Sequence, residues 1–238
     1  MVNKIKTFKQ FAESALTKIP NTQMGSNQGG LYSANNGDRY YVKHYDNPDQ
    51  AKSEVLAGKI YHHMGIHTAK PEYREVGGKP SVVTRYDQNL TRMKPKHFEE
   101  LTPEQATQIG KMYHGAILTK NWDVVGQEHD NILKHSTTGH LHSIDAGGAF
   151  HFRAQGKNKD YGPDIGEHSS LRTGNQQSSH VFNHVFASHP HAEHNGVEAV
   201  RALDDKTIHH EFESSGLSNW KELHKNFIAR KKSLLAKY

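Results

Sequence analysis

The chain has no cysteine. That excludes disulfide staples and thiolate metal sites, and a reducing cytoplasm is the natural setting for such a protein. No apolar run approaches the roughly 18 residues that cross a bilayer. The stretch Met1 to Ile19 carries charges throughout instead of the apolar core of a secretion signal. No segment recurs at a period of 20–50 residues, which sets aside solenoids and propellers. Lys and Arg nowhere form a run dense enough to make nucleic acid the leading partner. Hydrophobic residues are scarce at 34% of 238, yet sufficient for a core. What is abundant is histidine, with 20 residues, on a chain of formal charge +5. A basic balance suits anionic ligands such as nucleotides, and the imidazoles add charge below about pH 6.5. His180, His184, His189, His191 and His194 crowd one stretch. They lack a His-Glu-x-x-His pattern, and Pro190 interrupts them, so a zinc site is disfavoured.

In chain order, Ile5, Phe8, Phe11, Ala12 and Leu16 recur at helical spacing and predict an amphipathic helix over 4–18. Three glycines, Gly25, Gly29 and Gly30, then precede apolar residues, and Asn35-Asn36-Gly37-Asp38 is a strong turn signal. Together they predict a strand, turn and strand leading to the aromatic strand Arg39–Tyr45. Glycine lets backbone N–H groups approach phosphate oxygens, and Ser26 adds a hydroxyl. Alone this is a hairpin turn more often than a phosphate loop. Lys43 near the end of that strand shifts the balance, because phosphoryl transfer needs a cation at the nucleotide phosphates. Pro48 opens a helix over 49–64, and its Glu54 is placed to pair with Lys43. The turn Gly77–Pro80 joins two further strands that complete a small antiparallel sheet and run into a hinge at Thr84–Asp87. There Thr84 and Tyr86 are candidates to face an adenine ring. Residues 87–102 read as a polar crossover. Thr102 and Gln105 form a capping box at the start of a helix that ends near Thr119.

The stretch Asn121–Arg153 holds the remaining polar groups. Ile132 and Leu133, the turn Ser136–Gly139, then Leu141 and Ile144 predict a hairpin that brings Asn131 and Asp145 together. Their oxygens are hard donors suited to Mg²⁺, and Asp123 is a carboxylate available to orient an acceptor hydroxyl. Taken alone, the hairpin reads equally well as solvated surface; the upstream features decide it. Residues 156–180, rich in Gly, Ser, Asn and Gln, read as irregular chain beside the acceptor site. Helical patches follow near 178–188, 193–203 and 218–236, the last packing on its own lobe.

The ordered set GSNQGGLY, YYVKHY, NWDVVGQEHDNIL and IDAGGAFHFRAQG resembles the atypical protein-kinase-like superfamily. That group includes HipA-like serine/threonine kinases and the phosphatidylinositol 3- and 4-kinases, and the likeness is to a compact bacterial or phage branch. It covers roughly residues 20–175. It implies an α+β, two-lobed fold, with a sheet-based N-lobe with one main helix (1–87) and a mostly helical C-lobe (88–238). It implies ATP and Mg²⁺ as cofactors. Gly25, Ser26, Asn27, Gly29 and Gly30 would cover the phosphates, Lys43 would contact them, and Glu54 would orient Lys43. Asp123 would act on the acceptor hydroxyl, and Asn131 and Asp145 would hold the metal. The implied activity is transfer of the ATP γ-phosphate to a protein Ser/Thr in the cytoplasm of a bacterial or phage-infected cell. A nucleotide-binding regulator without turnover is the alternative, and a lipid or small-molecule kinase is a further one. The chain departs from the common kinase pattern in two ways. Asp123 precedes Asn131 by eight positions instead of five, so either the extra residues bulge out or Asp130 is the base. Ala146 stands where Phe is usual after the metal Asp, and no His-Arg-Asp triplet occurs.

Overall fold

The computed structural model describes residues 16–24 and 27–238. Its first sheet is made by the glycine-rich and β-branched segments near the N-terminus. β1 (Thr17–Lys18) pairs with β2 (Gly29–Ser33), which turns through Asn36-Gly37 into β3 (Arg39–His44). Residues 1–15, which hold most of the predicted helix over 4–18, lie outside the described residues. The helix does not extend to Thr17 and Lys18, whose partners are Ser33 and Tyr32.

α1 (Pro48–His63) begins where Asn47 accepts the Asp49 N–H at 2.9 Å and Pro48 presets the first turn. Gly65, at φ 69°, follows it. β4 (His67–Thr68), β5 (Glu72–Val76) and β6 (Lys79–Arg85) come next. The first sheet runs β1-β2-β3-β6-β5, antiparallel throughout. α1 is buried on two sides. Ala51 packs with Tyr45 and Val82 under the sheet, while Leu56, Ala57, Ile60 and Tyr61 join the main core. Each such aliphatic side chain contributes on the order of 1.5–3 kcal/mol of burial, so the helix binds the sheet to the rest of the molecule. Lys59 and His63 add a shared anchor, reaching Glu211 at 2.7 and 2.9 Å.

The crossover is more ordered than its polar sequence suggests. It contains β7 (Leu90–Arg92) and a 3-10 turn at Pro95–Phe98. α2 (Pro103–Thr119) starts at the predicted capping box, in which Gln105 N–H donates to Thr102 Oγ1 at 3.3 Å. The predicted hairpin follows as β8 (Ile132–His135) and β9 (Leu141–Ser143). β7 and β4 flank it in a second sheet of order β4-β9-β8-β7, with β4 parallel to β9. Two- and three-residue strands leave no readable alternation, which is why β4 and β7 escape a sequence reading.

The rest is helical: α3 (Glu167–Thr173), α4 (Gln176–Ser188), α5 (Pro190–Arg201), α6 (Asp205–Glu213) and α7 (Trp220–Leu235). α3 and the start of α4 lie inside 156–180, which the sequence presents as irregular. Buried Glu167 and Leu171 hold α3, and Asn175 caps α4 through the Ser178 N–H at 2.9 Å. α2 runs through the core of this half, where Ile109, Met112, Tyr113, Ala116 and Ile117 are each 0% exposed. Among the described residues no helix is long and apolar enough to cross a membrane.

Candidate active site

Lys43 sits one residue before the end of β3, with its side chain only 9% exposed. Its ammonium meets Glu54 at 3.1 Å and Asp145 at 2.5 Å. Burial pulls the Lys43 ammonium down, but Asp145 and Glu54 outweigh it and hold Lys43 charged, well above its ordinary range. Burial likewise raises Glu54 against the opposing pull of Lys43. Asp145 is the more open partner, with its side chain 37% exposed. Burial works to raise its carboxyl, yet Lys43 and the Gly147 N–H together hold it below the usual carboxylate range. Both contacts, Lys43 at 2.5 Å and Gly147 N–H at 3.1 Å, fall on Oδ1. Asp145 Oδ2 stays outside that network and keeps its lone pairs for a ligand.

Two side chains support this trio. Tyr45 hydroxyl donates to Glu54 Oε2. Gln50 Nε2 donates to the carbonyls of Gly147 and Arg153, both at 3.4 Å. Neither was singled out from the sequence. The signals were present, because Tyr45 is two positions from Lys43 on one strand face and Gln50 is four from Glu54 on one helix face. Gly147 lies beneath the cluster. A Cβ there would stand 2.6 Å from Tyr45 Oη, 3.1 Å from Asp145 Oδ1 and 3.2 Å from Glu54 Oε2.

A cavity of about 290 Å³ opens over these groups. Asn27, Lys43, Glu54, Asp130, Asn131 and Asp145 line its polar part; Pro71, Val82, Leu90, Leu133 and Ile144 give it apolar walls suited to a planar ring. Thr84 and Tyr86 also line it. Tyr86 spends its own N–H on Arg39 O at 2.9 Å, so that group is not open to a base. Gly25 and Ser26 lie outside the described residues. Gly29 and Gly30 are not in a loop. They form the start of β2, where Gly29 faces Lys43. Gly29, at φ 155°, leaves no room for a Cβ, which would come within 2.0 Å of Val42 O. These glycines let β2 lie close on β3. Upstream of them, Tyr41 Oη accepts the Met24 N–H at 3.2 Å.

The segment from Asp123 to Asn131 folds inward. Gly126 N–H returns to Asp123 O at 3.1 Å, Asn131 N–H to Val125 O at 3.2 Å, and Val124 and Val125 are buried. The longer segment is therefore a turn packed through Val124 and Val125, with Gln127 and Glu128 exposed at its tip. The turn brings Asn131 back to Asp123, and Asn131 Nδ2 donates to its carbonyl at 2.6 Å and to Oδ2 at 3.4 Å. That leaves Asn131 Oδ1 as an acceptor. Burial, then the charges of Asp145 and Asp130, push the Asp123 carboxyl up to about 6. Asp123 is half-buried beside Asn131 and does not line the cavity. Asp130, the alternative base, does line it. Asp130 is nonetheless held by its own loop, accepting the Glu128 N–H at 3.4 Å, and stands 3.9 Å from Arg92.

The donor set fits Mg²⁺. Asp145 Oδ2 and Asn131 Oδ1 are hard oxygens at adjoining ends of one hairpin, where Ile144 N–H pairs with Asn131 O at 3.0 Å. Mg²⁺ characteristically takes one or two protein oxygens and leaves the rest to phosphates and water. Among the described residues no group of three or more His, Asp or Glu side chains is arranged to hold a metal ion.

No protein-family model matches the chain, and no curated protein matches it. Among solved structures it is similar to the proinflammatory kinase CtkA of Helicobacter pylori. The TM-score is 0.58 with 14% identity, over 93% of this chain and 93% of that one. At that identity the likeness establishes fold alone, and the fold is the α+β, two-lobed kinase-like one. Looser likenesses carry no argument. They include the choline kinase LicA of Streptococcus pneumoniae (TM-score 0.41, 12% identity, 94% of each chain). They also include an aminoglycoside phosphotransferase of Alicyclobacillus acidocaldarius (TM-score 0.37, 12% identity, 93% and 92%).

Proposed function

We propose that the protein is an ATP- and Mg²⁺-dependent phosphotransferase of the protein-kinase-like superfamily, acting on a protein Ser/Thr hydroxyl in the manner of the HipA-like enzymes. The observation that carries the reading is the buried Lys43 ammonium held between Glu54 and Asp145 at the floor of a cavity with apolar walls. A lysine fixed in charged form and shared with a carboxylate that also faces the ligand space has its natural counterpart in nucleotide phosphates. The two-lobed fold supports the same reading.

In it, Lys43 binds the α- and β-phosphates and Glu54, braced by Tyr45, orients it. Asp145 and Asn131 would hold Mg²⁺, which neutralises phosphate charge when bound. Asp123 orients the acceptor hydroxyl. Its bond from Asn131 ties it to the metal-binding amide, and its raised pKa suits an acceptor of hydrogen bonds near neutrality. Asp130, on the cavity wall, is the rival for that role. Asn27 and the preceding glycine-bearing loop cover the phosphates, and Thr84 and Tyr86 flank the base.

The test is purified protein with γ-labelled ATP and Mg²⁺, with and without host-cell lysate. Label appearing on protein is the expected result. ATP binding with no transfer to any acceptor would replace this reading with that of a nucleotide-binding regulator.

A further inference from the structure

Next to Asp123 lies a second charged centre that the nucleotide cleft does not use. Trp122 is its platform. The indole N–H donates to Glu167 Oε1 at 3.1 Å, and the Trp122 carbonyl accepts from Asn175 at 3.4 Å, so the ring is fixed. Three cations gather over that ring: Lys159 Nζ at 5.2 Å, Arg153 Cζ at 5.3 Å and Lys120 Nζ at 5.7 Å from its centroid. They arrive from both sides of the site, Lys120 from the end of α2 and the other two from the chain beyond Asp145.

The carboxylate within this group is Glu167, and it is already shared. It accepts from Trp122, lies 3.9 Å from Lys120, and pairs with the fully buried Arg230. Positive charge is therefore in excess. Lys159 registers it: burial first, then the neighbouring Lys120, pull its ammonium down to about 7, with Arg153 and Arg230 acting in the same sense. Lys159 is committed to the carbonyls of Gly148 and Phe152. The Arg153 guanidinium is different. It is exposed, and among the described residues its side chain has the Trp122 ring as its contact, with no carboxylate. A guanidinium held over an indole, with the Lys120 ammonium over the same ring, is a carboxylate receptor.

We propose that the Trp122 centre is the acceptor-recognition subsite, and that it selects a Ser or Thr hydroxyl carried on an acidic peptide segment. This rests on the phosphotransferase reading above. Arg153 makes the direct, bidentate contact with a substrate carboxylate; Lys120 is the second contact; Lys159, held by the carbonyls of Gly148 and Phe152, makes no direct contact. The centre disfavours cationic acceptors, because an ammonium beside Asp123 would meet this excess of positive charge.

Three peptides with one central serine, flanked by acidic, neutral or basic residues, test the proposal with the full chain, ATP and Mg²⁺. The acidic peptide is expected to lead the neutral one by about tenfold in kcat/KM, the product of an exposed ion pair at Arg153 and a partly buried one at Lys120, each worth a factor of a few. The basic peptide should fall below both, and added salt should narrow the spread. Arg153→Glu should abolish or invert the order, and Arg153→Lys should keep part of it. Because the ratio is read within one preparation, loss of folded protein does not imitate the effect. Equal use of acidic and neutral peptides, or a preference that survives Arg153→Glu, overturns the subsite. So does label on lysate proteins with all three peptides silent, which leaves the kinase reading standing. No transfer to peptide or lysate overturns the kinase reading itself, and the subsite with it.

Discussion

At the residue scale, Lys43 decides most. A lysine at a strand end suggests a side chain with little packing, but this one is 7% exposed and compensates two carboxylates. Removing it leaves Glu54 and Asp145 without their counterion, a loss of roughly 3–5 kcal/mol when a buried pair is broken. Lys43→Met, which preserves the aliphatic volume, should therefore lower both stability and transfer. We expect at least a hundredfold drop in transfer, about 3 kcal/mol, and a reduced urea midpoint. A folded Lys43→Met protein with wild-type turnover removes Lys43 from the site. His114 offers a prediction of a different kind. It is 0% exposed, its Nδ1–H donates to Gly110 O at 2.8 Å, and its Nε2 is buried without a partner among the described residues. Burial first of all lowers its pKa to about 4. The unfolded imidazole titrates near 6.5, so between those values the unfolded chain binds the extra proton. Stability contributed by neutral His114 is then present above about 6.5 and lost as pH falls toward 4. Urea midpoints measured at pH 7 and 5 should separate, and His114→Gln should narrow the gap. An unchanged gap would contradict the burial of a neutral ring.

At the element scale, the loop after β9 carries Asp145 and Gly147, and the turn before β8 carries Asp123 and Asn131. Gly147→Ala would push a methyl group into Tyr45 Oη, Asp145 Oδ1 and Glu54 Oε2. The expected outcome is a transfer rate lower by tenfold or more with a stability loss of about 1–3 kcal/mol, typical of overpacking. A Gly147→Ala protein with unaltered kinetics would mean that this loop does not set the Lys43 cluster. For the packed turn, Asp123→Asn should leave ATP affinity nearly intact while transfer collapses, the mark of an interaction made mainly in the transition state. The reverse ranking, with Asp130→Asn the damaging change, would hand the role to Asp130. Elements with a cap or a periodic face were readable from sequence. Asn47-Pro48 marks α1, Thr102 and Gln105 mark α2, and Asn36-Gly37 marks the first hairpin. β4 and β7 are too short to alternate, α3 is too short to show a helical face, and α6 has only Ile208 and Phe212 as its apolar pair. The inward fold of Val124 and Val125 depends on a core that lies elsewhere in the chain.

For the whole molecule, the sheet meets the helical half through α1, and the cleft lies where β3, α1 and the β8–β9 hairpin converge. Lys43, Glu54, Asn131 and Asp145 are far apart in sequence; the expectation that phosphoryl transfer calls for their types in that order grouped them, and the structure brings all four to one cavity. The groups that support them were less legible. Lys159 and Arg230 are buried cations whose partners are set by tertiary packing, and nothing local announces them. In the proposed function, this cleft transfers phosphate from ATP through a metal-dependent site containing Asp145. The most direct measurement is the initial rate of γ-label transfer across a Mg²⁺ titration, for the wild type and for Asp145→Asn. Saturable Mg²⁺ dependence is expected in the wild type. The variant should be about a hundredfold slower, recovering in part as Mg²⁺ is raised. Equal rates and equal Mg²⁺ dependence in the two proteins would remove Asp145 from the metal site.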